Sequence, residues 1–126
     1  MTENHNNKRA KTTYYDLEER TYEFAKRVRD FVKRLPKRTA NIEDGIQLVN
    51  SSGSVGANYI EANEALSKKD FIHRIKICRK EAKESRYWLR LVDTGENKEL
   101  EEKRNQLIKE ATELMNIFGS IVRRSE

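Results

Sequence analysis

A chain of 126 residues has room for one domain with a real hydrophobic core and none for a second of ordinary size. Charged residues make up 37% and aromatics 8%, with one proline and five glycines, a balance that suits long solvated helices and argues against a β-sandwich. The formal charge of +5 permits contact with a polyanion, the short apolar runs leave no membrane span, and the single cysteine, Cys78, excludes an intramolecular disulfide or a thiolate zinc cluster.

Residues 1–14 are polar, carry Lys8, Arg9 and Lys11, and show no apolar period, so they read as a disordered basic arm. The stretch MTENHNNKRAKTT has no hydrophobic leader, which predicts a cytoplasmic protein. The folded domain is expected over residues 15–122, with 123–126 as a C-terminal tail. Asp16 is the expected cap of the first helix, with Glu18 and Glu19 at the positive end of its dipole. Leu17, Thr21, Phe24, Val28, Phe31 and Leu35 make the buried stripe, with Ala25 and Val32 beside it. Pro36 ends the helix, since the residue before proline avoids helical geometry and proline has no donor.

After a basic turn from Pro36 to Ala40, Asn41 is the predicted N-cap of the second helix, with Glu43 and Asp44 in its first turn. Ile42, Ile46, Val49, Gly53, Gly56, Ile60 and Asn63 repeat at four-three spacing and are its predicted buried face. Its middle, SSGSVGA, has almost no side-chain volume. Each glycine there costs up to ~1 kcal/mol relative to alanine, so another backbone or a bulky ring, Trp88 or a Phe, is expected to approach closely. A kink is the alternative. Gly53-Ser54-Val55-Gly56 lacks the strand and the lysine of a phosphate-binding loop.

Ser67 is the predicted cap of the third helix, with Asp70 three residues on. Phe71, Ile75, Cys78, Ala82, Ser85, Leu89 and Val92 form its packing seam, which makes Cys78 a small buried hydrophobe. Lys69, Lys76, Arg79, Lys80, Lys83, Arg86 and Arg90 gather roughly opposite, with Ile72 and Tyr87 among them. From Ser67 to Val92 nine Lys and Arg face three acids, whereas Asn41 to Leu66 holds four acids and no base, a segregation that can steer a polyanion or let unlike faces of identical subunits meet. Ile77 and Trp88 lie a quarter turn from the seam, flanked by Glu81 and Glu84. That widens the apolar arc beyond what one bundle core requires, so a second interface between subunits is expected; the alternative is that Trp88 fills the gap left by the glycines. Gly95 suits a left-handed end to this helix. Asn97 is the predicted cap of the fourth, whose stripe is Leu100, Arg104, Leu107, Ala111, Leu114, Phe118 and Ile121, supported by Ile108, Met115 and Val122. Short connections then predict an all-α, antiparallel up-down-up-down four-helix bundle.

The stretches SSGSVGANYIEAN at 51–63, SKKDF at 67–71 and KEAKESRYWLRL at 80–91 resemble the four-helix-bundle family of 23S rRNA intervening-sequence proteins, also called the S23 ribosomal protein family, over about residues 16–122. Ser54, Val55, Ala57, Asn58 and Glu61 match its Ser, small apolar residue and Ala-Asn-x-x-Glu. Ser67 and Phe71 match its Ser-x-x-x-Phe, and Glu81, Glu84 and Trp88 stand as structural positions of the third stretch. Many members have Pro where Gly56 stands, and Gly and then Arg after the glutamate, where this chain has Ala62 and Asn63. The resemblance is therefore to a sub-branch. Most such proteins have no assigned activity. The related accessory variability protein of diversity-generating retroelements is a basic homopentamer that binds nucleic acid and a reverse transcriptase, so the resemblance implies a homopentamer with a cationic surface.

The chemistry open to these residues is limited. The seven cations can track phosphates of RNA, rRNA included, or of DNA, with Arg79, Arg86 and Arg90 forking onto oxygens and Tyr87 offering a stacking face. A solvated helix face, or a scaffold that binds a protein partner and no nucleic acid, is the alternative. Glu61 with Glu64 and Glu81 with Glu84 share faces as in di-iron bundles, yet no histidine follows at the required three-residue spacing. No metal or cofactor is expected, and Asn58, Glu61, Glu81 and Glu84 are predicted to bond to neighbouring helices instead. His73 is preceded by SKKDFI, without the arginine that a helical nuclease needs beside its histidine. The sequence predicts no catalytic site.

Overall fold

A computed structural model describes residues 17–126; the predicted basic arm, His5 and the Asp16 cap lie outside the described residues. The chain forms α1 (Leu17–Arg34), α2 (Thr39–Asn63), α3 (Lys68–Leu91) and α4 (Lys98–Ser125). Each helix packs on its neighbour in sequence and α4 returns to α1, closing a four-membered ring around one core. Cross-links between helix ends show the antiparallel order. Asn63, at the end of α2, donates to Glu18 at the start of α1, and Arg34, at the end of α1, pairs with Glu99 at the start of α4.

Three helices bury the predicted stripes. Phe24, Phe31 and Phe118 are the largest fully enclosed side chains, with Leu48, Ile75, Leu89 and Leu114 packed around them. Arg104, the one charged member of the α4 stripe, reaches the end of α3 and donates from Nη1 to the Val92 carbonyl at 2.7 Å, which satisfies one of the acceptors a helix end leaves open. Ser67 and Asn97 cap α3 and α4 as predicted, accepting from the Asp70 and Leu100 amides. Gly95 has φ +68°, and Glu96 follows it in the same left-handed region. α4 runs to Ser125, so the expected tail is its last turn, with Arg123 and Arg124 at the negative end of the dipole. Between α1 and α4, Arg20 forks onto Glu110 at 2.7 and 2.8 Å and onto Glu113 at 2.8 Å. The Glu110 hydrogen bond first, and then the two carboxylate charges, hold its guanidinium charged against partial desolvation.

α2 differs from the sequence reading in two ways. It begins at Thr39 behind an uncapped Arg38, so Asn41 is no cap, and Glu43 and Asp44 fall beyond its first turn. Its buried face is Asn41, Gly45, Leu48, Ser52, Val55, Tyr59 and Ala62, with Ser51 beside it, the predicted stripe displaced by one residue and so turned by ~100°. Ile42, Ile46 and Ile60 are half exposed instead. The helix is unbroken, and its small residues admit neighbours on both sides. Ser51 Oγ meets Ser85 Oγ of α3 at 2.9 Å, and a Cβ on Gly56 would stand 2.8 Å from Thr21 Oγ1 of α1. Thr21, and neither Trp88 nor a Phe, is what the glycine admits.

Candidate nucleic-acid interface

Ile75, Cys78, Ala82, Ser85 and Leu89 point α3 into the core and Phe71 is half-buried against it, which fixes the direction of everything else on the helix. Lys69, Lys76, Arg79, Lys80, Lys83 and Arg90 are exposed, as is Tyr87, while Arg86 is half-buried with Nη1 donating to Thr112 Oγ1 of α4 at 3.4 Å. Among the described residues, Lys76 is the only one of these cations in an ion pair, with Glu126 at 3.5 Å. The predicted set is thus gathered on one outward face. Lys68 extends it: Lys68, Lys69, Ile72, His73 and Lys76 line a shallow depression of about 590 Å³ at the start of α3.

The acids of α3 occupy another flank, toward α2. Burial, and secondarily the like charge of Glu84, pushes the Glu81 carboxyl above the ordinary glutamate range. Contrary to the sequence reading, Glu61, Glu81 and Glu84 make no ion pair or side-chain hydrogen bond with the described residues. Asn58 does bridge helices, donating to the Ser54 carbonyl at 2.9 Å and accepting from Arg74 Nη1 of α3 at 3.1 Å. Ala57 is exposed on the α1 side. Trp88 is half-buried against the core and meets the Tyr87 ring edge-on at 4.9 Å. Burial of Cys78 pushes its thiol up to about 12, far from the thiolate that nucleophilic work requires. Among the described residues, no three His, Cys, Asp or Glu side chains group as metal ligands, and no helix is long and apolar enough to cross a membrane.

Two features lay beyond the sequence reading. Arg123 on α4 comes to the same surface as Arg79, both beside Gly119. The available signal was the spacing of Asn105, Thr112, Asn116, Gly119 and Arg123, an acid-free stripe on α4 at helical period. The second is an apolar groove between α1 and α2. Ile42, Ile46, Val49 and Pro36 line a hollow of about 420 Å³, and Tyr22, Ala25, Gly53 and Ile60 line one of about 400 Å³. This groove lies on the edge of the bundle opposite the α3–α4 edge.

Residues 15–120 match the family described as 23S rRNA-intervening sequence protein. A crystal structure of a protein of unknown function from the S23 ribosomal protein family of Bacteroides thetaiotaomicron is similar at 31% identity and a TM-score of 0.72, covering 83% of this chain and 96% of the other. No functionally curated protein matches the chain.

Proposed function

The chain belongs to the 23S rRNA-intervening sequence protein family, and from that premise we propose that it is a cytoplasmic, non-catalytic homo-oligomer, most simply a pentamer, that binds structured RNA through the cationic face of α3. The observation that carries this reading is the outward face of Lys69, Lys76, Arg79, Lys80, Lys83, Arg86 and Arg90. Six of its seven cations have no acid in ion-pair range among the described residues. Cations crowded on one helix repel, and a polyanion relieves that repulsion while releasing its own counterions. Tyr87, 54% exposed with Lys83 and Arg90 one turn to either side, offers an unpaired base a stacking surface.

Charge reversal of Lys83, Arg86 and Arg90 to Glu is expected to abolish binding to structured rRNA fragments at moderate salt, read by fluorescence anisotropy, with the helical circular dichroism unchanged. Unchanged affinity would remove these residues from the account. The exposed α1–α2 groove favours a second reading, a scaffold for a protein partner that is indifferent to nucleic acid. Salt-sensitive co-purification of cellular RNA separates the two, since only the first predicts it.

A further inference from the structure

Two arginines from different helices meet over one glycine. A Cβ on Gly119 would stand 3.5 Å from Arg123 Nη1 and 3.9 Å from Arg79 Nη1, with Arg79 Cδ at 3.7 Å. Arg123 folds back one turn along α4 while Arg79 crosses from α3, its aliphatic stem resting on the buried Gly119 backbone. Both guanidinium groups therefore flank the one point that the missing side chain leaves open. Among the described residues, neither has an acid in ion-pair range.

Two guanidinium groups that reach the same point, with no acid in ion-pair range of either among the described residues, are the complement of a shared anion. A tetrahedral phosphate presents oxygens to two planar forks at once, at about 2.7–2.9 Å per bond. The geometry continues along the groove. Arg86 and Thr112 stand seven residues from Arg79 and Gly119 respectively, so the antiparallel helices repeat the arginine-over-small-residue contact about 10 Å away. Asn105 and Asn116 add neutral donors on the α4 side, and Glu126, the carboxylate one turn beyond Arg123, is held by Lys76 at 3.5 Å and pairs with neither arginine.

We propose that Arg79 and Arg123 form a phosphate clamp over Gly119, a subsite for one backbone phosphodiester of a nucleic acid lying in the α3–α4 groove. The proposal rests on the RNA-binding reading above and narrows it to a place and a stoichiometry.

The experiment is a double-mutant cycle on the full chain, with Arg79→Gln, Arg123→Gln and both together, measured against structured RNA over a salt series. Each single change is expected to weaken binding about tenfold and the pair little more than either. The log–log salt slope should fall by about one phosphate, not two. Arg123→Gln combined with Lys83→Gln, which act on separate phosphates, should instead be additive. Additive losses for Arg79 and Arg123, or no loss with Arg123→Gln while the Lys83, Arg86 and Arg90 reversal still abolishes binding, overturn the clamp and leave the broader reading standing. Should the wild-type chain bind no RNA, the broader reading fails and inorganic phosphate becomes the probe. Saturable shifts of the Gly119 amide and of the Arg79 and Arg123 Nε signals, lost in Arg123→Gln, uphold the clamp as an anion site; no shift overturns it.

Discussion

Gly53 and Gly56 look interchangeable in sequence, and their neighbours make them opposites. A Cβ on Gly56 would meet Thr21 Oγ1 at 2.8 Å and Thr21 Cβ at 3.2 Å. Thr21 is buried, and its hydroxyl donates to the Leu17 carbonyl at 2.7 Å, so it cannot swing aside without losing that bond. At Gly53 the nearest atom is Arg29 Nη2 at 3.4 Å, an ordinary contact with the far end of a flexible side chain whose Nη1 donates an exposed bond to the Ala25 carbonyl at 3.3 Å. Alanine gains up to ~1 kcal/mol of helix propensity at either place, whereas overpacking a fixed contact costs ~1–3 kcal/mol. Gly56→Ala should therefore lower stability by about 1–2 kcal/mol, a fall in Tm of roughly 5 °C, and Gly53→Ala should raise it. Thermal melts by circular dichroism check both. Thr21→Ala in the Gly56→Ala background should recover most of the loss, which a defect within α2 alone would not. Sequence marks both glycines as sites of close approach; which side chain approaches is decided by the rotation of α2, which sequence misplaces.

In α1, α3 and α4 large apolar residues alternate cleanly with charges, so only one stripe satisfies the four-three spacing. In α2 two adjacent stripes satisfy it. The one with the larger aliphatic residues, Ile42, Ile46, Val49 and Ile60, is the outer one. The inner one carries Asn41, Gly45, Ser52 and Ala62 along with Leu48, Val55 and Tyr59, because α2 must lie close to both α1 and α3. Hydrophobic size selects the wrong face wherever close approach demands small residues. Asn41 shows the same thing at the helix start. Its Nδ2 donates to the Pro36 and Asp93 carbonyls at 3.0 and 2.8 Å, and its Oδ1 accepts from the Asp93 amide at 2.9 Å. It thus fastens the α1–α2 turn to the end of α3 and leaves α2 uncapped. Asn41→Ala strips partners from groups at a buried junction and should cost about 2 kcal/mol, read as a lower urea midpoint with an unchanged m value. A true N-cap role would be restored by Asn41→Ser; this junction would not be, since serine is too short to serve both loops.

The two outward faces lie on opposite edges of the bundle, and their separation bears on assembly. Sequence places the surplus apolar surface on Ile77 and Trp88, but both are half-buried. Tyr22, Ile42, Ile46 and Ile60 of α1 and α2 are each more than half exposed. A ring closed through the α1–α2 groove would dock that groove on a different surface of the next subunit, as cyclic contacts require; where that surface is not the α3–α4 edge, every α3 face stays open to solvent. Several copies of one cationic surface on a closed assembly raise RNA affinity without any new contact, by factors of about 10²–10⁴ when the geometry permits joint engagement. Ile46→Asp with Ile60→Asp places two charges in the groove and removes little buried core, so the helical signal should persist. Light scattering of nuclease-treated wild-type protein should give a multiple of 14.9 kDa, and the double variant should return to the single-chain mass. Its RNA affinity should drop at least a hundredfold although α3 is untouched, with the salt slope falling in proportion to the phosphates no longer engaged. Wild-type protein that scatters as a single chain, or a double variant that dissociates with its RNA affinity intact, would disconnect the apolar groove from the cationic face.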